Sequence, residues 1–169
     1  QVYVQSSLRV EGELSRTFQP TPIVFQELSA TLPSGVNMSV PQVFRLELAL
    51  GYPVASFHLW RYGDGQISLW WAPGAAEPLV LDTALVMLEA TFDTEHPPLV
   101  LDVEEGEWEG QRAFRFTEGW PDSADGAAEA WVIQGPAHWL YVLRVRPIGV
   151  REVSPLMREV RDTFSFVAE

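Results

Sequence analysis

The chain has 169 residues, enough for one domain whose core needs no disulfide or metal to hold it. It carries 23 acidic residues against 11 basic ones, all arginine, a net charge of −12 that phosphate backbones and anionic lipid repel, which argues against nucleic acid as a partner. Cysteine is absent, so disulfides, thiolate catalysis and cysteine zinc sites are excluded together, and no apolar run reaches the ~18 residues of a membrane span.

A 47 % hydrophobic share with seven tryptophans excludes a disordered chain. The first residue is Gln1 rather than Met, which fits the mature part of an exported or membrane-anchored protein better than a cytoplasmic one. Residues 2–14 read as a strand or hairpin arm, and the proline-rich piece 18–27 marks its junction with the main body. The expected organisation is an N-terminal arm over 1–24 and a single domain over 25–169. Within 25–41 a short strand ends at Pro33-Ser34-Gly35, a turn signal.

Residues 43–50 place Phe44, Leu46, Leu48 and Leu50 at alternate positions, a strand period. Residues 54–62 and 66–72 flank Gly63-Asp64-Gly65, a hairpin signal, because Gly and Asp tolerate the positive φ of a tight turn. In the second of these strands Ile67, Leu69 and Trp71 point one way and Trp70 and Ala72 the other, so both faces of the sheet should be covered. Over 77–98 the stripe Leu81, Leu85, Leu88 and Phe92 predicts a helix, ended by Pro97-Pro98. Strands follow over 99–105, 111–120, 127–135 and 138–148, and their short connections imply an antiparallel meander. The last element, 154–167, opens with Ser154 as N-cap and Pro155 at the first helical position, with Leu156, Val160 and Phe164 on one face.

Four segments in this order carry a family resemblance: "ELSATLPSGV"; the helix around "LDTALVMLEATF"; "GEWEGQRAFRFTEGW…GAAEAWVIQGPAHWLYVLRVRP"; and a closing helix running into "DTFSF". Together they resemble the PsbP-like superfamily over residues 25–167, most of all its bacterial members of unknown function. The resemblance implies an α+β fold, an α/β/α sandwich with a central, mostly antiparallel β-sheet flanked by helices. It also implies a binding protein rather than an enzyme, since relatives serve as extrinsic photosystem subunits, bind a GTPase or chaperone secreted proteins. It supplies no residue motif for a site.

The residues themselves give sparse chemistry. His58, His96 and His138 have no metal-ligand spacing, and no nucleophile elbow, P-loop or dinucleotide fingerprint is present. No cofactor is expected. The acidic stretch 101–110 lacks the oxygen spacing and the distal bidentate Glu of a calcium loop. It reads as a strand end followed by a hairpin connection over Glu105–Glu109, with Asp102, Glu104, Glu105 and Glu107 as a subsidiary cation site. Trp108 and Trp120 lie in or beside turns, where aromatic rings anchor interfaces, and are the candidate partner-binding residues. Arg144 and Arg146 are expected at the solvent end of their strand. The functional expectation is a non-catalytic domain binding a protein partner, accessory or chaperone-like, with a homodimer as one option. The alternative is an extracytoplasmic domain for a small ligand or divalent cation; an enzyme comes third.

Overall fold

The computed structural model describes residues 25–27, 35–51 and 56–167, so the expected arm over 1–24 lies outside it. Eleven strands and two α-helices appear among the described residues: β1 (Phe25–Glu27), β2 (Val36–Asn37), β3 (Ser39–Pro41), β4 (Arg45–Gly51), β5 (Ser56–Tyr62), β6 (Gly65–Pro73), α1 (Leu81–Glu89), β7 (Leu99–Trp108), β8 (Gln111–Gly119), β9 (Ala128–Gln134), β10 (Trp139–Pro147), α2 (Pro155–Asp162) and β11 (Ser165–Phe166). Seven of the strands form one antiparallel sheet in the order β4-β5-β6-β10-β9-β8-β7. Two small ladders, β1-β3 and β2-β11, complete the fold.

Strand alternation sends side chains to opposite faces, and both faces are covered. Along β10, Tyr141, Leu143 and Val145 join α2, β2, β3 and the inner half of β6 in one core. Leu140 and Val142 join α1 and Phe114, Phe116 and Val132 in the other. The helices therefore lie on opposite sides of the sheet, the α/β/α sandwich expected from the sequence.

Local chemistry sets the ends of these elements. In α2, Ser154 Oγ accepts from the Met157 N–H at 3.3 Å and Pro155 follows as the first helical residue. Leu156, Met157 and Val160 are buried along one face. The helix sits close on β6: a Cβ at Gly65 would approach Met157 Cε to 2.7 Å, so a larger residue there would force the Met157 side chain to shift. The β7–β8 hairpin turns in two residues, Glu109 and Gly110, with φ of +48° and +77°, the left-handed pair that matches strand twist.

Two expectations need correction. The helix over 77–98 is shorter, Leu81–Glu89. Thr91 and Phe92 donate to carbonyls three residues back, which tightens and ends the last turn, and the Asp93 carboxylate caps the Glu95 N–H at 2.9 Å. The buried stripe is also shifted: Ala84 and Leu88 are buried, Leu85 half-buried and Leu81 exposed, while Leu79, just ahead of the helix, is buried. The strand expected over 99–105 instead runs to Trp108, so Glu105 and Glu107 are strand residues and not part of a loop.

Candidate functional site

Helix α1 is only nine residues long and leaves part of its sheet face uncovered. There the structure has a cleft of about 440 Å³, within the range of small-ligand sites. Phe57, Trp70, Phe92 and Trp120 supply aromatic walls, while Gln66, Ser68, Arg144 and Arg146 supply a polar floor. Phe57 and Trp70 stack with ring centroids 4.0 Å apart, fixing that wall. Asp93 and His96, both exposed, stand at the rim.

Arg144 is buried and does not lie at the solvent end of its strand. Its Nε donates to Glu118 Oε1 at 2.6 Å and its Nη2 to Glu118 Oε2 at 2.9 Å, a two-pronged ion pair with a fully buried carboxylate. Nη2 also donates to Thr91 Oγ1 at 2.8 Å, and that hydroxyl donates to the Leu88 carbonyl at 2.7 Å. The pair thus joins the sheet to the end of α1. Arg144 and Glu118 stand on strands separated by β9, about 10 Å by strand spacing. The intervening β9 positions on that face are Ala128 and Ala130, small enough for the two long side chains to meet above them.

Arg146 is held differently. Its guanidinium lies 3.8 Å from the centroid of the Trp120 ring, and its Nη2 donates to Asp125 Oδ2 at 2.9 Å. Nε of Arg146 is buried without a hydrogen-bond partner among the described residues. Asp125 Oδ1 accepts from the Gly149 N–H, and this bond, with the Arg146 guanidinium, holds the Asp125 carboxyl below its ordinary range. The Trp120 indole N–H donates to the His96 carbonyl at 3.0 Å. Trp120 is therefore braced from both sides at the mouth of the cleft.

Of the residues singled out from sequence, Trp120 lies in this cleft and Trp108 lies elsewhere. Trp108 folds over the other sheet face, half-buried against Trp131 and Phe164, with its N–H donating to the Phe164 carbonyl at 2.8 Å. Glu109, next along, accepts from the Phe166 N–H at 2.8 Å, so the hairpin tip is tied to β11. Asp102, Glu104, Glu105 and Glu107 lie on the edge strand β7 and alternate between its faces. Glu104 pairs with Arg115, and Glu105 with Arg112 at 2.7 Å. Among the described residues no three metal-ligating side chains converge. The three histidines are dispersed: His96 is at the cleft rim, and His138 is exposed in the β9–β10 turn. His58 is half-buried, edge-on to Trp60 and Trp71, and burial pushes its imidazole below the ordinary value. Sequence reasoning missed the Arg144–Glu118 pair. The available signal was a charged residue on each strand in register with apolar neighbours, Arg144 after Leu140 and Val142, and Glu118 after Phe114 and Phe116.

No family model and no curated protein matches this sequence. Among solved structures, the solution structure of cyanobacterial PsbP (CyanoP) from Synechocystis sp. PCC 6803 superposes with a TM-score of 0.61 over 92 % of this chain and 99 % of that one. The fold is PsbP-like. Identity to CyanoP is 14 %, so the likeness shows the fold alone. No described helix of the chain is long and apolar enough to cross a membrane.

Proposed function

We propose that this is a non-catalytic binding domain that works through the cleft beside α1, taking a small ligand outside the cytoplasm. The observation that carries the reading is the combination of fixed aromatic walls with polar groups already locked in pairs. Arg144 is held by Glu118, Arg146 by Asp125, and the Thr91 hydroxyl is bonded on both its donor and acceptor sides. Such a site is preorganised to hold a molecule. Between the two candidate tryptophans, the geometry favours Trp120, because the Trp108 ring is occupied with the core. The test is a thermal-shift screen of small metabolites on the whole chain, followed by mass spectrometry of any ligand that raises Tm. The reading expects a ligand recovered unchanged; turnover to a product overturns it.

A second reading, an accessory or chaperone-like domain for a protein partner, has its own support. Leu99, Leu101 and Val103 are exposed on β7, an edge strand with no neighbour on its outer side among the described residues. The carboxylates along β7 disfavour pairing with a second copy and leave a basic or uncharged chain as the partner. Cross-linking of the whole chain in a cell extract, with protection of β7 amides from exchange, tests it.

A further inference from the structure

Resting on that reading of the cleft, we propose that its ligand is an uncharged molecule pairing an apolar ring or chain with a carbonyl-type acceptor, and that carboxylates and phosphates are excluded despite the two arginines on the floor. The walls favour apolar carbon: Phe57, Trp70 and Phe92 present rings, and Leu59 and Pro98 extend the same surface. The floor is donor-rich, because its two guanidinium groups carry N–H donors and no acceptor, so the ligand should bring acceptors.

Two arginines would ordinarily point to an anion. Here neither has charge to spare. A ligand carboxylate could take Arg144 only by displacing Glu118, which is fully buried and would be left ionised with no compensating partner. Arg146 is matched by Asp125, itself fixed by the Gly149 N–H. At the rim Asp93 adds a negative charge with no ion pair among the described residues, and the chain as a whole stands at −12. The positive charge of the cleft is thus fully offset, while guanidinium N–H groups held in place can still donate to a neutral oxygen. Burial of the pair fixes the shape of the floor and removes its attraction for anions in one arrangement.

The experiment is calorimetric titration of the whole chain at low salt and neutral pH with three probes that share a phenyl ring: N-acetyl-phenylalaninamide, N-acetyl-phenylalanine as its carboxylate, and phenethylammonium. The amide should bind tightest, with the carboxylate weaker by about fivefold or more, since it gains no free cation and faces Asp93. Phenethylammonium, which lacks an acceptor, should also be weaker. Trp120→Leu and, independently, Phe92→Ala should each weaken the amide by about fivefold, the loss of one ring contact. If the carboxylate or the ammonium binds as tightly as the amide, the inference on ligand class is overturned while the cleft remains a binding site. If none of the probes binds, or both variants leave amide binding unchanged, the assignment of the cleft itself fails with it.

Discussion

The two faces of the central sheet are built from the same strands and finished in opposite ways. On the α2 face, β6 and β10 present apolar rows beneath the helix, Glu129 on β9 pairs with Arg161 of α2, and Trp108, Trp131, Tyr141, Phe164 and Phe166 close one end with ring-to-ring contacts. On the α1 face the apolar rows stop at Arg144, Ser68 and Glu118, beyond the end of α1. The α2 side supplies most of the apolar burial, while the α1 side carries a fully buried carboxylate beside the cleft. Trp108 and Trp120 show the same contrast in single residues. Both stand at strand ends with their N–H groups bonded to distant carbonyls, yet Trp108 seals the core and Trp120 lines the cleft.

Mutations should affect the two faces differently. The largest effect should come from Glu118→Ala, which strands the Arg144 guanidinium inside the α1 face and should cost about 3–5 kcal/mol in urea unfolding. Removing both charges, Glu118→Leu with Arg144→Met, should recover most of that loss; a double variant as unstable as the single would mean that the charges themselves hold this face together. Leu88→Ala, at a buried position of α1, should cost about 2–5 kcal/mol, and Leu85→Ala, half-buried, clearly less. Equal costs would contradict the observed helix orientation.

Smaller effects separate the two tryptophans. Trp108→Phe keeps a ring against Trp131 but loses the bond to the Phe164 carbonyl, so about 0.5–1.5 kcal/mol should go. The Asp125 clasp near Trp120 should respond to acid. Its folded-state pKa is depressed by the Gly149 N–H and Arg146, so its stabilisation is present above the ordinary carboxylate range and is lost as pH falls through the folded value. Between about pH 5 and 3 the wild type should therefore lose more stability than Asp125→Asn; parallel losses would remove Asp125 from the account. The smallest effect belongs to the edge strand. Glu104→Gln with Glu107→Gln should change stability by no more than about 0.5 kcal/mol, with or without calcium, as exposed charges on a hairpin do. A calcium-dependent gain in Tm abolished by that double variant would make β7 a cation site.

Most of the architecture was legible in the sequence because it rests on short-range signals. Alternation marked β4 and β6, the Gly63-Asp64-Gly65 turn marked a hairpin, short connections marked the meander from β7 to β10, and Ser154-Pro155 marked the start of α2. Element ends were less legible. The apolar period through Phe92 continues past the point where hydrogen bonding changes, and glutamates that read as loop are, at an edge, the outward residues of a strand. The cleft was hardly legible. Its floor depends on Arg144 and Glu118 meeting over Ala128 and Ala130, a juxtaposition 26 residues apart that no local spacing encodes. Trp120 could be picked out by its place beside a turn, but so could Trp108, and only the third dimension divides them.

The most direct test of this division is the indole region of a ¹⁵N-resolved NMR spectrum, recorded on the whole chain with and without saturating N-acetyl-phenylalaninamide. The seven tryptophans give seven reporters, two of them, Trp70 and Trp120, in the cleft. These two signals should shift while those of Trp108 and Trp131 stay in place. Shifts confined to Trp108 and Trp131, or no shift at Trp70 and Trp120 under saturation, would contradict it.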